Sequence, residues 1–97
     1  MALFVISCVD KPNSLDLRMS AREAHLAYAN GGQNLVSVKI GGPYLDANGN
    51  MAGSLLIVEA AGRVAVEEFS KNDPYVKAGL FETVDIRSYR ITVGPPL

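Results

Sequence analysis

Leu35-Val36-Ser37-Val38-Lys39-Ile40-Gly41-Gly42-Pro43-Tyr44-Leu45-Asp46-Ala47-Asn48-Gly49-Asn50 occupies the middle of a 97-residue chain and decides how the rest is read. Its first six residues alternate into a strand, Gly41-Gly42-Pro43 interrupts that strand, and residues 46–50 carry the Asn-Gly signal of a hairpin. The partner strand follows directly as Ser54-Leu55-Leu56-Ile57-Val58-Glu59. A β-β unit therefore sits at the centre of the chain.

Working outward, the upstream half supplies a strand and a helix. Residues 3–9 are mostly β-branched and aliphatic and end at the turn-rich Asp10-Lys11-Pro12-Asn13. Leu3, Val5 and Val9 fall on one face of that strand, and Phe4, Ile6 and Cys8 on the other. Asn13 or Ser14 is placed to cap a helix over residues 15 to about 29, with Asp16 in its first turn and Leu17, Ala21, Ala24 and Tyr28 on one stripe. Gly31-Gly32 ends it.

The downstream half repeats the pattern in reverse order. A short helix is expected over residues 63–70, where Ala65 and Phe69 share an i, i+4 face, and Asn72-Asp73-Pro74 breaks it. Asp73 then caps a further turn through residue 78 with Pro74 at the favoured first position. Residues 81–91 alternate, with Val84 and Ile86 opposite Thr83, Asp85 and Arg87, and form the last strand. The order is β-α-β-β-α-β, the ferredoxin-like α+β pattern in which both helices cover one face of a four-stranded sheet. Residues 1–97 are read as a single domain. Because the first and third strands are apolar on both faces, the uncovered face calls for a partner, most simply a second copy.

Composition narrows the function classes. Hydrophobic residues make up 48% of the chain and charged residues 20%, values of an ordinary globular protein rather than a disordered one. Nine basic and ten acidic residues are interspersed for a net charge of −1, so the basic footprint of a nucleic-acid binder is missing. The N-terminal stretch has no basic region and reaches Asp10 too soon for a secretory signal. No apolar run approaches the roughly 20 residues that cross a bilayer, so no membrane role and a cytoplasmic location are expected. The one cysteine, Cys8, and the one histidine, His25, give no metal set, and no phosphate-binding glycine motif suggests a cofactor. Cys8 itself reads as a small buried thiol.

Arg22-Glu23-Ala24-His25-Leu26-Ala27-Tyr28, Gly41-Gly42-Pro43-Tyr44-Leu45, Gly53-Ser54 and Asp73-Pro74-Tyr75-Val76-Lys77-Ala78-Gly79-Leu80-Phe81 together resemble the YciI-like (YCII-related) family. The resemblance runs from the first strand to Arg90. It implies a dimeric α+β barrel in which two sheets pack face to face around a pocket holding a His and an Asp. Carried over residue by residue, these are His25 and Asp73, with Gly42, Pro43, Ser54 and Tyr75 as substrate-side residues. A dehydrochlorinase acting on chlorinated hydroxyhydroquinones is one activity it suggests. The chain departs from the family pattern at Glu23, where many relatives have Pro, and at Ser88-Tyr89, where relatives often continue into Pro and a large aromatic.

Chemistry and plain structure compete at each of these positions. Arg18, Arg22 and His25 lie at i, i+4 and i+7 and share a helical face beside the apolar stripe, which puts the imidazole at a core edge. An imidazole with an unperturbed pKa of about 6.5 suits proton transfer, and a carboxylate on its other nitrogen fixes the tautomer. A core-edge helix residue is the structural alternative. Asp73 is accounted for locally as an N-cap worth about 1 kcal/mol, and capping and catalysis can coexist through different carboxylate oxygens. Gly42-Pro43 reads either as a bulge or as an anion contact. Ser54 lacks the strand-turn-helix setting of a nucleophile elbow and reads as a hydrogen-bonding residue. Tyr75 reads as packing or as a substrate contact. Arg22 reads as a solvated arginine or as a grip on a carboxylate or phenolate.

Two functions follow. The first is a small-molecule enzyme in which His25, oriented by Asp73, moves a proton on a carbonyl or hydroxylated aromatic compound, giving isomerisation or elimination. The second is a non-catalytic dimeric module that binds a small ligand or another protein, in which His25 and Asp73 do not meet.

Overall fold

The computed structural model describes residues 1–32 and 35–97. The elements run β1 (Ala2–Asp10), α1 (Leu15–Asn30), β2 (Ser37–Leu45), β3 (Met51–Ala60), α2 (Arg63–Lys71), α3 (Pro74–Lys77) and β4 (Phe81–Tyr89). Every pairing is antiparallel and the strand order is β2-β3-β1-β4, so the expected ferredoxin-like α+β arrangement is present.

The core follows from the pleat. Phe4, Ile6 and Cys8 of β1 stand opposite Val58, Leu56 and Ser54 of β3 and point to the same side of the sheet. On that side α2 lays down Val66 and Phe69, both fully buried, in one cluster with Phe4, Val58 and Ala60. Each such side chain contributes on the order of 1.5–3 kcal/mol. The other sheet face carries Val5, Leu55 and Ile57 half-buried at its centre, with Ile40, Val9 and Tyr44 at 52%, 48% and 40% exposure. These residues adjoin one another across the ladders, so the second face is a continuous apolar surface opposite the helices.

Four local expectations are corrected. Gly41-Gly42-Pro43 does not interrupt β2, which runs through it to Leu45. The irregularities lie between Val38 and Ile40 and between Tyr44 and Leu45. Pro43 is tolerated because β2 is an edge strand, and a Cβ added at Gly41 would collide with the end of the Leu56 side chain, which would have to shift. Ser14 stands at the N-cap of α1 but makes no capping bond, its hydroxyl donating instead to the Pro12 carbonyl at 3.3 Å.

The inward stripe of α1 is also rotated from the expected one. Leu17 and Ala24 are exposed, and the side chains turned inward are Arg18, Ala21, His25 and Tyr28. Hydropathy alone misplaces this face because both polar groups are neutralised by carboxylates from other elements. Lastly, β4 ends at Tyr89 rather than at residue 91, where its pairing with Leu3 closes.

Candidate active site

Arg18 and His25 are two turns apart on one face of α1, and each meets an acid supplied from elsewhere. Arg18 is 2% exposed. Its Nε donates to Asp10 Oδ2 at 2.7 Å and its Nη2 to Asp10 Oδ1 at 2.8 Å, a two-point grip from the last residue of β1. Nη2 also donates to Ser54 Oγ on β3 at 2.9 Å. Burial works against the guanidinium charge, but the hydrogen bond and attraction to Asp10 outweigh it and hold the group above its ordinary pKa.

His25 is buried and its Nδ1 lies 2.9 Å and 3.0 Å from the two Asp73 oxygens. An ionised carboxylate only accepts, so Nδ1 carries the hydrogen and Nε2 is the unprotonated nitrogen of the neutral ring. Asp73 is itself fixed, because its Oδ1 accepts from the Tyr75 backbone N–H at 2.9 Å as the cap of α3. Capping and the histidine bond therefore share Oδ1 rather than using separate oxygens, and Oδ2 meets the histidine alone. Pro74 at the first position of α3 presets that turn.

Tyr75 ties the two acid-base groups together. The His25 ring stacks on it with centroids 4.0 Å apart and planes 14° from parallel. The Arg18 guanidinium carbon lies 4.6 Å from the same ring centroid, and Phe81 meets the ring edge-on at 5.8 Å. Burial raises the Tyr75 phenol pKa, while the charges of Arg18 and Arg22 pull it down without cancelling the rise.

A cavity of about 120 Å³ opens between α1, β2 and β3. His25, Arg22, Ser54, Tyr75, Gly42 and Pro43 all line it, and Arg18 joins them. Asp73 stands behind His25 rather than on the wall. Arg22 is exposed at the rim, whereas Ser54 and Tyr75 are buried. No atom within 4 Å of an added Gly42 Cβ forces glycine there. On the same measure one water occupies about 10–15 Å³, so the space holds a ligand of on the order of ten heavy atoms.

Sequence reasoning missed Asp10 and gave Arg18 no role in the site. A signal for Arg18 was present: a cation in the first turns of a helix opposes the helix dipole, so its placement there asks for a specific acidic partner. Nothing local marks Asp10, which looks like the start of a turn. Cys8, whose strand position faces Ser54, has its thiol pushed up to about 12, first by burial and then by the Asp73 charge. It is held as the thiol, not as a thiolate nucleophile.

The chain belongs to the YCII-related domain family, whose model matches residues 2–90. It is 33% identical over 96 residues to Protein YciI of Escherichia coli O6:H1, covering 91% of this chain and 96% of that one. Among solved structures it resembles the 5-chloro-2-hydroxyhydroquinone dehydrochlorinase TftG of Burkholderia phenoliruptrix AC1100, solved with 2,5-dihydroxybenzoquinone. That match has a TM-score of 0.82 and 38% identity over 91% of this chain and 93% of the other. A likeness to an antibiotic biosynthesis monooxygenase, at 10% identity and a TM-score of 0.57 over 96% of this chain and 100% of the other, concerns the fold alone.

Proposed function

We propose that the cavity is the active site of a small-molecule enzyme in which His25, oriented by Asp73, transfers a proton on a carbonyl or hydroxylated aromatic compound, so that the reaction is an isomerisation or an elimination. The observation that carries this reading is the bond from His25 Nδ1 to both Asp73 oxygens in a residue that also lines the cavity. Of the two ring nitrogens, only Nε2 is left for a ligand. The non-catalytic module is expected to keep these two residues apart, and their contact supports the enzyme reading.

The chemistry balances without an added co-reactant. Neutral Nε2 takes a proton from a substrate O–H or C–H, and the electron pair left behind forms a C=O or C=C bond. In an isomerisation the adjoining π bond breaks as the new one forms, its pair moving to the far carbon or oxygen, and the imidazolium returns the proton to that atom. In an elimination from a keto tautomer, a leaving group on a tetrahedral carbon departs with the pair of its own bond, and the net loss is one proton and one anion. Asp73 stabilises the transient imidazolium without taking the proton.

The similarity to the dehydrochlorinase makes a chlorinated hydroxyhydroquinone the first substrate to try. Chloride release should fall about 10²–10⁴-fold in His25→Ala while its circular dichroism matches the wild type. Undiminished release by that variant would overturn the assignment. We further propose that the apolar sheet face is covered by a second copy, giving a homodimer. Sedimentation at micromolar concentration should show a dimer, and a compact monomer there would contradict this.

A further inference from the structure

We propose that Gly41 is a specificity-determining residue of the cavity: by carrying no side chain it gives Leu56 room against β2, and the two together set how large an apolar substituent a hydroxylated ring can carry. The inference rests on the reading of the cavity as a small-molecule site and adds what limits the size of the molecule.

The floor of the cavity changes character along β3. Ser54 and Leu56 lie two residues apart on one face of the sheet, and both line the cavity. Around Ser54 the wall is polar, since Arg18 donates to its hydroxyl at 2.9 Å. Past Leu56 it is apolar: Val38 stands opposite Val58 in the ladder and lines the cavity, as does Leu26 of α1. A ring that keeps its oxygens at the polar end therefore turns an apolar substituent towards Leu56.

Gly41 is the ladder partner of Leu56 and lines the same cavity. Its backbone does not demand glycine, because its φ lies outside the left-handed region and the irregularities of β2 fall on either side of it. A glycine inside a regular strand weakens that strand and marks a close approach by another group. Here the approaching group is Leu56. A Cβ at Gly41 would strike Leu56 Cδ2, whereas the Leu55 carbonyl oxygen at 3.4 Å and Leu56 Cγ at 3.7 Å would be ordinary contacts. The obstruction is the end of a flexible side chain, so the strand accepts an alanine if Leu56 swings away. On its other side Leu56 is paired with Ile6, which is 2% exposed and part of the close-packed core, so no room is offered there. The space that remains is the cavity. A side chain at position 41 therefore reduces the cavity and leaves the fold in place.

Two phenols test this without turnover. 4-Methylphenol and 4-propylphenol differ by two methylene groups, and the larger is close to what a cavity of about 120 Å³ holds. In NMR titrations the wild type should bind 4-propylphenol about tenfold more tightly, the worth of two buried methylene groups. Gly41→Ala, with circular dichroism matching the wild type, should lose that gain while binding 4-methylphenol within about twofold of the wild type. Adding Leu56→Val to Gly41→Ala removes the displaced methyl group and should restore the gain. Should Gly41→Ala fail to fold, Leu56→Val alone decides: it opens the same end and should extend the gain to 4-butylphenol, and no extension overturns the proposal. A folded Gly41→Ala that favours 4-propylphenol as strongly as the wild type overturns it, as does one that weakens both phenols equally, or a wild type with no preference between them. Chloride release by the wild type and by His25→Ala is a separate measurement, so the size limit and the proton-transfer reading can fail independently.

Discussion

The layer between helices and sheet has two ends built on different physics, although the same two strands run through both. At one end β3 presents Val58 and Ala60 and β1 presents Phe4 and Ile6, and α2 closes the gap with Val66 and Phe69. A few residues along the same strands, β3 presents Ser54 and β1 presents Cys8 and then Asp10, and α1 closes the gap with Arg18 and His25. The first end is held by apolar area removed from water. The second is held by polar groups that satisfy one another, and there the layer leaves a cavity. A sheet face of uniform geometry thus becomes a packed core at one end and the floor of a cavity at the other.

The sharpest way to break this contrast is to truncate one member at each end. Phe69→Ala should cost about 3–5 kcal/mol in denaturant unfolding, as a fully buried aromatic leaves a cavity. Arg18→Met should cost a similar 3–5 kcal/mol for the opposite reason, because Asp10 is left buried and unpaired. The diagnostic comparison is the double variant Asp10→Asn with Arg18→Met, which should recover most of that loss in the same unfolding assay. If the double variant is no more stable than Arg18→Met alone, the polar end is not held in the way described.

A smaller effect separates the two duties of Asp73. Asp73→Asn keeps an oxygen for the Tyr75 N–H, whereas Asp73→Ala removes the cap as well. Thermal unfolding should place Asp73→Ala about 1 kcal/mol below Asp73→Asn. Turnover should be impaired in both, since neither offers His25 a carboxylate.

The smallest effect concerns Cys8. Its folded pKa of about 12 lies above the ordinary value of 9.0, so the folded protein holds the thiol proton more tightly than the unfolded chain. The stability this provides is complete below pH 9 and is lost as pH rises towards 12. Native protein at pH 8 should therefore react with a thiol-modifying reagent far more slowly than protein in denaturant, and equal rates would contradict the burial.

How much of this could be read from residues differs between the two ends. The strand alternation of Phe4, Ile6 and Cys8, the Asn48-Gly49 turn and Asp73-Pro74 as a cap are local signals, and the structure carries each of them. The position of β2 through Gly41-Gly42-Pro43 was not legible, because an edge strand tolerates proline and only three-dimensional pairing says which strand is at the edge. The inward face of α1 was hidden for a related reason. Whether an arginine turns in or out depends on an acid outside the helix, here Asp10, and helical periodicity carries no information about it. The contact of His25 with Asp73 spans 48 residues, so spacing could not show it and family resemblance had to suggest it.

Nitrogen NMR of the imidazole reads out whether Asp73 holds His25 with the hydrogen on Nδ1 and leaves Nε2 open to the substrate. In the neutral ring the wild type should show the hydrogen on Nδ1, and Asp73→Asn should shift the population towards the Nε2–H tautomer. A wild-type ring with its hydrogen on Nε2, unchanged by Asp73→Asn, would mean that Asp73 does not orient His25.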